Sequence, residues 1–576
     1  MPNTNKPDEG VDTMKKILFA VLIVFTCLLA ATALAADVKL NEVNFPDWRF
    51  RDYVSAFDTD GNGALSEDER DAVQEIDVDK MSIESLNGIE YFTSLKKLSC
   101  KNCALTRLDL SRNKVLREVY CYGNKLTELN VSTCKVLEIL WCNENKLGTL
   151  NVSRNPYLKE LVCSGNGLTG LDLSKNPKLE ILSCWRNDLT ALNVSANTAL
   201  RELDCSNNRL TAIALTGNTA LKTLNCSYNQ LTKLSLSKNT ALTSLNCARN
   251  KLSKLVLSAN TKLDSLTCDN NKLTGLDLKK NTRLTYLYCA GNKLAKLDLS
   301  KNTLLGRLKC DDNKLTQLDL KKNTKLTYLY CDYNNLTSLD LSKNSKIDYV
   351  SCYGNSLSVK APGGRFDLST LPGFSVKKAS SWTNGTVKGT ILTVTGSPVT
   401  YVYSAGQGKK ITFTLNVTIV KAPLSSVSLG KTQLKYTGEA QTPAVTVKAK
   451  VNGTLVTLKE GTDYTVTYKN NKKAGTAAVT VKGKGNFKGT LKTTFTITPV
   501  NILKVTLDQM SFAYTGSACE PVPTVTTKVN GALVTLKKDT DYIVKYENNV
   551  EKGTATVTVT GMGNYTGTIT KTFTIE

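Results

Sequence analysis

The chain has 576 residues, room for roughly three to four domains at the usual ~150 residues each. Apolar residues make up 41%, enough for a packed core, and Lys+Arg 74 against Asp+Glu 50 gives a net charge of +24. The histidine count is 0, which removes every Ser-His-Asp and Cys-His nucleophile arrangement and every histidine metal site.

An export signal is expected over residues 1–35. Lys15 and Lys16 precede an apolar run from Ile17 to Leu29, which closes at Ala33-Leu34-Ala35, a small-residue cleavage site before Ala36. The run is shorter than the ~20 residues of a spanning helix, and Phe25-Thr26 before Cys27 fits a lipoprotein site poorly. The mature protein is expected to begin near Ala36, outside the cytoplasm and with no transmembrane anchor.

Residues 58–69 read DTDGNGALSEDE. Asp58, Asp60 and Asn62 hold positions 1, 3 and 5 of a twelve-residue loop, Gly63 makes the turn at 6, and Ala64 offers a carbonyl at 7. Ser66 stands at 9, and Glu69 at 12 can bind through both oxygens. A hard cation taking six to eight oxygens calls for this ligand set at this spacing. Phe50, Tyr53, Val54 and Phe57 have helical spacing before the loop, and Ser66 to Gln74 can form an exiting helix. The segment resembles an EF-hand calcium loop. Only one such loop is present, whereas sensor EF-hands work in pairs, so the expectation is a structural Ca2+ site of weak extracellular affinity, about 10⁻⁴–10⁻³ M.

The chain then repeats. Cysteines stand at 100, 121, 142, 163, 184, 205, 226, 247, 268, 289, 310, 331 and 352, every step being 21 residues. The unit is L-x-x-L-x-C-x-x-N-x-L-x-x-L-x-L-S-x-N, complete in Leu221, Leu224, Cys226, Asn229, Leu231, Leu234, Leu236 and Asn239. It resembles the short bacterial leucine-rich repeat. An upstream unit with Ile76, Val78, Ile83, Leu86, Ile89 and Phe92 departs from the pattern, as a capping repeat does. The periodicity predicts a solenoid in which leucines and cysteine point inward, each coil burying them against its neighbours. The asparagine bonds the backbone where the chain leaves its short strand. Cys103 and Cys134 replace the asparagines of single half-units.

The cysteine column has three readings. Stacked thiols in register have parallel Cβ vectors, which does not supply disulfide geometry, and cysteine serves as a small buried hydrophobe. Disulfides remain open for an exported chain. Tetrahedral zinc has only the lone Cys100-x-x-Cys103 match.

After Asn355 the repeat stops, and Pro362-Gly363-Gly364 marks a break. Short strands are expected at Ile391 to Thr395, Val399 to Tyr403 and Ile411 to Val420, in a small β module covering the solenoid end. The final stretch repeats at 78 residues: Tyr436-Thr437-Gly438 returns as Tyr514-Thr515-Gly516, and Val451-Asn452-Gly453 as Val529-Asn530-Gly531. Period-two runs between Asn-Gly and Gly-Asn turns predict antiparallel sandwiches, and these modules resemble bacterial Ig-like repeats, usually stalks. Cys519 replaces Gln441 of the first copy and is expected to be an exposed thiol.

The expected chain is thus mixed but mainly β. After the signal come an EF-hand-like helical cap and capping repeat (36–92), a leucine-rich solenoid of about thirteen units (93–360), a small β module (361–423) and Ig-like domains at 424–499 and 500–576. This order resembles secreted or surface leucine-rich repeat proteins of bacteria. The resemblance implies a non-enzymatic adhesion or protein-binding factor; a carbohydrate- or cell-wall-polymer-binding surface protein is the alternative. A paired-carboxylate glycosidase needs no histidine, but no carboxylate pair stands apart from the repeat. Nucleic acid is not an expected partner of an exported chain.

Two surfaces are candidates for the ligand. Lysine recurs at one coil position (Lys125, Lys146, Lys251, Lys272, Lys293, Lys314) and at another (Lys175, Lys238, Lys280, Lys301, Lys322, Lys343), giving basic stripes for anionic wall polymers or a merely solvated edge. In L-x-x-L-x-C the residues flanking the second leucine face out. They are polar in the middle coils and aromatic or apolar toward the ends: Tyr120, Ile139, Trp141, Val162 and Ile181 in one cluster, Tyr286, Tyr288, Tyr328, Tyr330 and Tyr349 in the other, with Arg307 and Lys309 between. Such aromatics either anchor a partner or brace the sheet.

Overall fold

The computed structural model describes residues 36–576; the expected signal segment lies outside the described residues. The chain divides into two units. One runs to Leu357 and adds Val402–Phe413; the other holds Ser358–Tyr401 and Thr414–Glu576.

The first unit opens with helix α1 (Trp48–Ser55), whose N-cap Asp47 accepts from the Arg49 and Phe50 amides and whose buried face is Phe50 and Val54. Helix α2 (Glu67–Ala72) starts with a reciprocal capping box between Ser66 and Glu69. Between them strand β2 (Ala64–Leu65) pairs antiparallel with β1 (Val38–Lys39). Phe45, Phe50, Phe57 and Phe92 stack edge-on or tilted, with centroids 5.9–6.5 Å apart. Phe92 belongs to the first coil, so the helical segment shares its core with the solenoid.

The solenoid is one 14-stranded parallel sheet, from Glu75–Asp77 to Tyr349–Ser351. Each strand is three residues long and in register with the next, as in Thr223↔Ser244, Leu224↔Leu245 and Asn225↔Asn246. The central residue is buried in nearly every strand, and its two neighbours stand on the open face.

Two asparagine columns pin the turns. Asn229 Nδ2 donates to the Cys205 and Cys226 carbonyls (2.9 and 3.3 Å), while its Oδ1 accepts from the Leu210 amide at 2.9 Å. Asn239 Nδ2 donates to the Leu215 and Asn218 carbonyls at 3.0 and 2.8 Å. Each side chain thus satisfies backbone groups of its own coil or the one before, which is why a 21-residue period without insertion stacks in register.

The thirteen column cysteines are all buried. The sixteen cysteines of the described residues are thiols. Burial raises the thiols from Cys100 to Cys331 far above the ordinary range; Cys121, Cys163 and Cys247 are pushed up to about 12. A thiol so placed keeps its proton at neutral pH and packs as a small apolar group.

At the far end of this unit the hairpin tip closes the last coil. The Leu341 amide donates to the Ala405 carbonyl at 2.7 Å, and Gln407 Nε2 donates to the Ser342 carbonyl at 3.0 Å. The segment expected as one module at 361–423 is divided between the units, Val402–Phe413 falling in the first.

The second unit contains two sandwiches related by the 78-residue repeat. In the first, a sheet of Thr454–Thr457, Val445–Val451, Ala422–Leu429 and Phe487–Lys488 faces one of Gln433–Lys435, Thr490–Thr498, Gly475–Gly483 and Tyr464–Lys469, over a core that includes Val447, Val479, Val481, Phe495 and Ile497. Asn452 (φ 50°) and Gly453 (φ 84°) make the left-handed two-residue turn that a tight hairpin requires. Buried Tyr464 donates to the Val445 carbonyl at 3.1 Å and Tyr542 to that of Pro523 at 3.0 Å, the same contact one repeat later.

Two expectations are corrected. The sandwiches are not purely antiparallel: Gln433–Lys435 pairs parallel with Thr496–Thr498, and Ser511–Phe512 with Thr574–Ile575. In each sandwich a short early strand thus lies parallel to the last one and covers its edge. Cys519 is buried in the second core rather than exposed, because the Asn549 side chain and backbone bond it across the loop at 3.1 and 2.7 Å.

Candidate ligand-binding face and cation loop

The loop between α1 and α2 is wound around its own carboxylates. Asp58 Oδ1 accepts from the Gly61 amide and Oδ2 from the Gly63 amide, both at 2.8 Å. Asp60 Oδ1 accepts from the Asn62 amide at 3.1 Å, and Asn62 Oδ1 from the Ala64 amide at 2.8 Å. Gly61 and Gly63 take φ of 71° and 81°, which glycine adopts without strain. The turns bring one oxygen each of Asp58, Asp60 and Glu69 within 4.8 Å of one another. Glu69 accepts from the amides and hydroxyls of both Ser66 and Thr59 at 2.6–2.9 Å, and these bonds, the Ser66 amide first, hold its pKa down to about 2. An all-oxygen, convergent donor set fits a hard divalent cation. The Ser66 hydroxyl donates to Glu69 at 2.9 Å and accepts from the Glu69 amide at 3.3 Å in the capping box. Strand β1 pairs antiparallel with the loop strand Ala64–Leu65.

The open face of the solenoid separates the two expected clusters. In the N-terminal one, Tyr120 and Trp141 pack edge to face at 5.2 Å, Tyr122 lies 6.4 Å from Trp141, and Lys101 caps Tyr120 and Tyr122 at 5.7 and 5.9 Å. Tyr120 donates to Glu118 at 3.0 Å; burial first, then that bond, raises its hydroxyl to about 12. Ile139, Val162 and Ile181 are half-buried beside them. These rings pack on one another, and the Trp141 Nε1 is buried without a hydrogen-bond partner among the described residues. Along the adjoining edge Glu138 bridges Arg117 and Lys159 at 2.6 Å, and Arg201 pairs with Glu180.

The C-terminal cluster is more exposed, although its rings also pack on one another, Tyr330 on Tyr349 at 5.1 Å and Tyr328 on Tyr349 at 6.5 Å. Tyr286, Tyr330 and Tyr349 are 42, 37 and 45% exposed. Register places Tyr286, Arg307, Tyr328 and Tyr349 in one row across four coils, and Tyr288, Lys309 and Tyr330 in the next. The Arg307 guanidinium lies 5.6 Å from the Tyr286 ring and 4.7 Å from Tyr328, a cation held between two π faces.

Sequence reasoning missed Tyr333 and Tyr353, exposed and 5.0 Å apart just past the strands, and the half-buried carboxylates Asp269 and Asp311, whose pKa values burial raises. All four follow a column cysteine by one or two positions, so the 21-residue register carried the signal. Exposed lysines do form the two expected columns, Lys251 to Lys314 and Lys280 to Lys343, on successive coils.

A stacked parallel sheet with asparagine-pinned turns and an inward leucine and cysteine lining defines a leucine-rich repeat protein. The family model described as Leucine Rich repeats (2 copies) matches residues 198–239. The functional domain of InlJ from Listeria monocytogenes, a structure described as including a cysteine ladder, is 31% identical, covers 67% of this chain and 99% of that one, and superposes with a TM-score of 0.53. The chain belongs to this family of internalin-like leucine-rich repeat proteins. An internalin from the same species, InlF of strain 4b F2365, is 23% identical over 55% of this chain and 98% of that one, with a TM-score of 0.51, a likeness of fold. No match is found among curated proteins. Among the described residues no helix is long and apolar enough to cross a membrane.

Proposed function

We propose that this chain is a non-enzymatic extracellular binding protein that uses the open face of its solenoid for adhesion to a protein partner. The observation that carries the reading is the exposed tyrosine cluster of the last coils, since rigid aromatic side chains with a polar tip dominate binding hot spots. The similarity to InlJ and InlF supports a surface or secreted location, as does the expected export signal. The sandwiches act as an Ig-like stalk that displays the solenoid. The loop from Asp58 to Glu69 binds Ca2+ and, through Phe45 and Phe92, ties the helical cap to the first coil.

The test is an affinity comparison with partners captured from cell-surface extracts. The double substitution Tyr288→Ala with Tyr330→Ala should cost about 2 kcal/mol or more of affinity with little change in melting. A double variant that binds normally moves the site off this face. A second reading, a carbohydrate or an anionic cell-wall polymer, draws support from the two lysine columns and from the cation at the centre of the tyrosine cluster.

A further inference from the structure

The last coil breaks the uniformity that keeps the cysteine column inert. Its strand, Tyr349–Ser351, ends the parallel sheet and has a neighbouring strand on one side only. Its central Val350 is half-exposed, where the central residue of every earlier strand of the sheet is buried. The cysteine beside it follows: Cys352 is 6% exposed, whereas Cys100 to Cys331 are at 0%. Cys352 Sγ accepts from Asn355 Nδ2 at 3.4 Å, and the Cys331 thiol donates to the Ser351 carbonyl, also at 3.4 Å. No other column cysteine among the described residues has its sulfur in a hydrogen bond with another residue outside this last pair. The Cys331 and Cys352 thiols are in hydrogen-bonding contact with each other as well.

Parallel Cβ vectors oppose a disulfide where both thiols are held by a coil on either side. That restraint is missing at the last step. Neighbouring parallel strands lie ~4.8 Å apart, within the Cα separation a disulfide spans, and here the sulfurs already meet. Access differs too. Cys352 borders a cavity of about 340 Å3, lined by residues 350–353 of the last coil and by residues 409–412 of the same unit. A hydroperoxide as small as hydrogen peroxide fits that space, while the twelve thiols before Cys352 are sealed from solvent. An oxidisable cysteine needs access and a second thiol in reach to resolve its oxidised form. Only the Cys352 end of the column joins the two.

We propose that Cys352 and Cys331 are a peroxide-oxidised dithiol, closing to a disulfide that locks the last coil to the one before it. In the first step the Cys352 sulfur attacks one oxygen of the hydroperoxide. The S–O bond forms, the O–O bond breaks, and the thiol proton leaves with the departing oxygen as water or an alcohol. The product is a sulfenic acid. Cys331 then attacks that sulfur: the S–S bond forms, the S–O bond breaks, and the Cys331 proton passes to the departing hydroxide as water. Cys331 gives up its proton only as the bond forms, so no free thiolate is required inside the column. The peroxide takes two electrons and the two thiols supply them. The site is independent of what the open face binds.

The experiment treats the reduced, folded full chain with hydrogen peroxide near neutral pH, removes the peroxide, unfolds the chain in denaturant with an alkylating agent, and maps its peptides by mass spectrometry. A cross-linked pair joining Cys331 and Cys352 is expected, reversed by dithiothreitol, with Cys226 and Cys247 recovered as alkylated thiols. Cys331→Ala should leave Cys352 as a sulfenic acid that dimedone traps, and Cys352→Ala should leave Cys331 reduced. In the oxidised parent, hydrogen exchange of Tyr349–Ser351 should slow by about tenfold or more, a change that neither variant shows after peroxide. The proposal is overturned if both thiols stay reduced in the folded parent, or if Cys352 is oxidised without joining Cys331. It is equally overturned if mid-column thiols cross-link as fast, or if the cross-linked chain exchanges at the reduced rate. These four outcomes are read on the parent alone, so a variant that fails to fold leaves the test intact.

Discussion

The cysteine column makes the solenoid sensitive to alkali. In the folded chain the twelve thiols from Cys100 to Cys331 are completely buried and their pKa values are raised, to about 12 at Cys121, Cys163 and Cys247. In the unfolded chain each returns to about 8.5. An acid whose pKa is higher in the fold keeps its proton there while the unfolded chain loses it. The stability each thiol supplies is therefore complete below about pH 8.5 and is lost as pH rises toward 12. Linkage gives about a tenfold increase in the unfolding constant per thiol per pH unit in that window. At pH 10 this is about 2 kcal/mol for one thiol, and twelve together exceed the ~5–15 kcal/mol that hold an ordinary domain. The expected outcome is a steep alkaline unfolding transition near pH 9, followed by circular dichroism and by mass-spectrometric counting of alkylated thiols. Replacing Cys205, Cys226 and Cys247 by Ala should make the transition shallower, although cavities lower stability at pH 7. A melting temperature that is flat from pH 8 to 10.5, or rapid alkylation of the native chain at pH 8, would refute the account of buried, protonated thiols.

Asn229→Ala removes the acceptor of the Leu210 amide and the donor to two buried carbonyls. It should cost about 2–4 kcal/mol in urea unfolding, and a loss below 1 kcal/mol would show that the column is not what pins the coils. Calcium should raise the melting temperature of chelator-treated protein, and Glu69→Gln should abolish the shift; equal melts with calcium and with chelator would remove the structural site. In chelator, Glu69 supplies stability above its unfolded value near 4.3 that is lost as pH falls through about 2, so acid melting should differ between parent and Glu69→Gln in that window. Trp141→Ala, which breaks the packing with Tyr120 and Tyr122, should lower stability by about 1–2 kcal/mol, whereas an unchanged melt would return Trp141 to the list of free anchors.

The solenoid was legible because its period is rigid. Thirteen cysteines at 21 residues leave one way to stack, and the strand register follows from the position of Leu224 or Leu245 within the unit. The alternation of inward and outward residues also named the aromatic rows correctly. Their difference in character was not legible, since Trp141 and Tyr330 occupy the same unit position. Lys101 and Tyr122, which close over the first cluster, come from outside the strand. The burial of Cys519 escaped for a similar reason: a single substitution within a repeat does not reveal that Asn549, thirty residues on, bonds across it. The parallel strand pairs escaped because pairing partners far apart in sequence leave no local signal. The carboxylates of the loop at 58–69 were legible, but the use of Ser66 to cap α2 was visible only once the helix start was fixed.

The central claim is that the open tyrosine face of the last coils is where this protein binds. It is tested most directly by hydrogen exchange on the full chain, alone and with a captured partner. The account predicts slowed exchange in the strands Tyr286–Tyr288, Arg307–Lys309, Tyr328–Tyr330 and Tyr349–Ser351, and none in the strands Thr223–Asn225 or Ser244–Asn246. Protection confined to the sandwiches or the lysine columns, with those four strands unchanged, would contradict it.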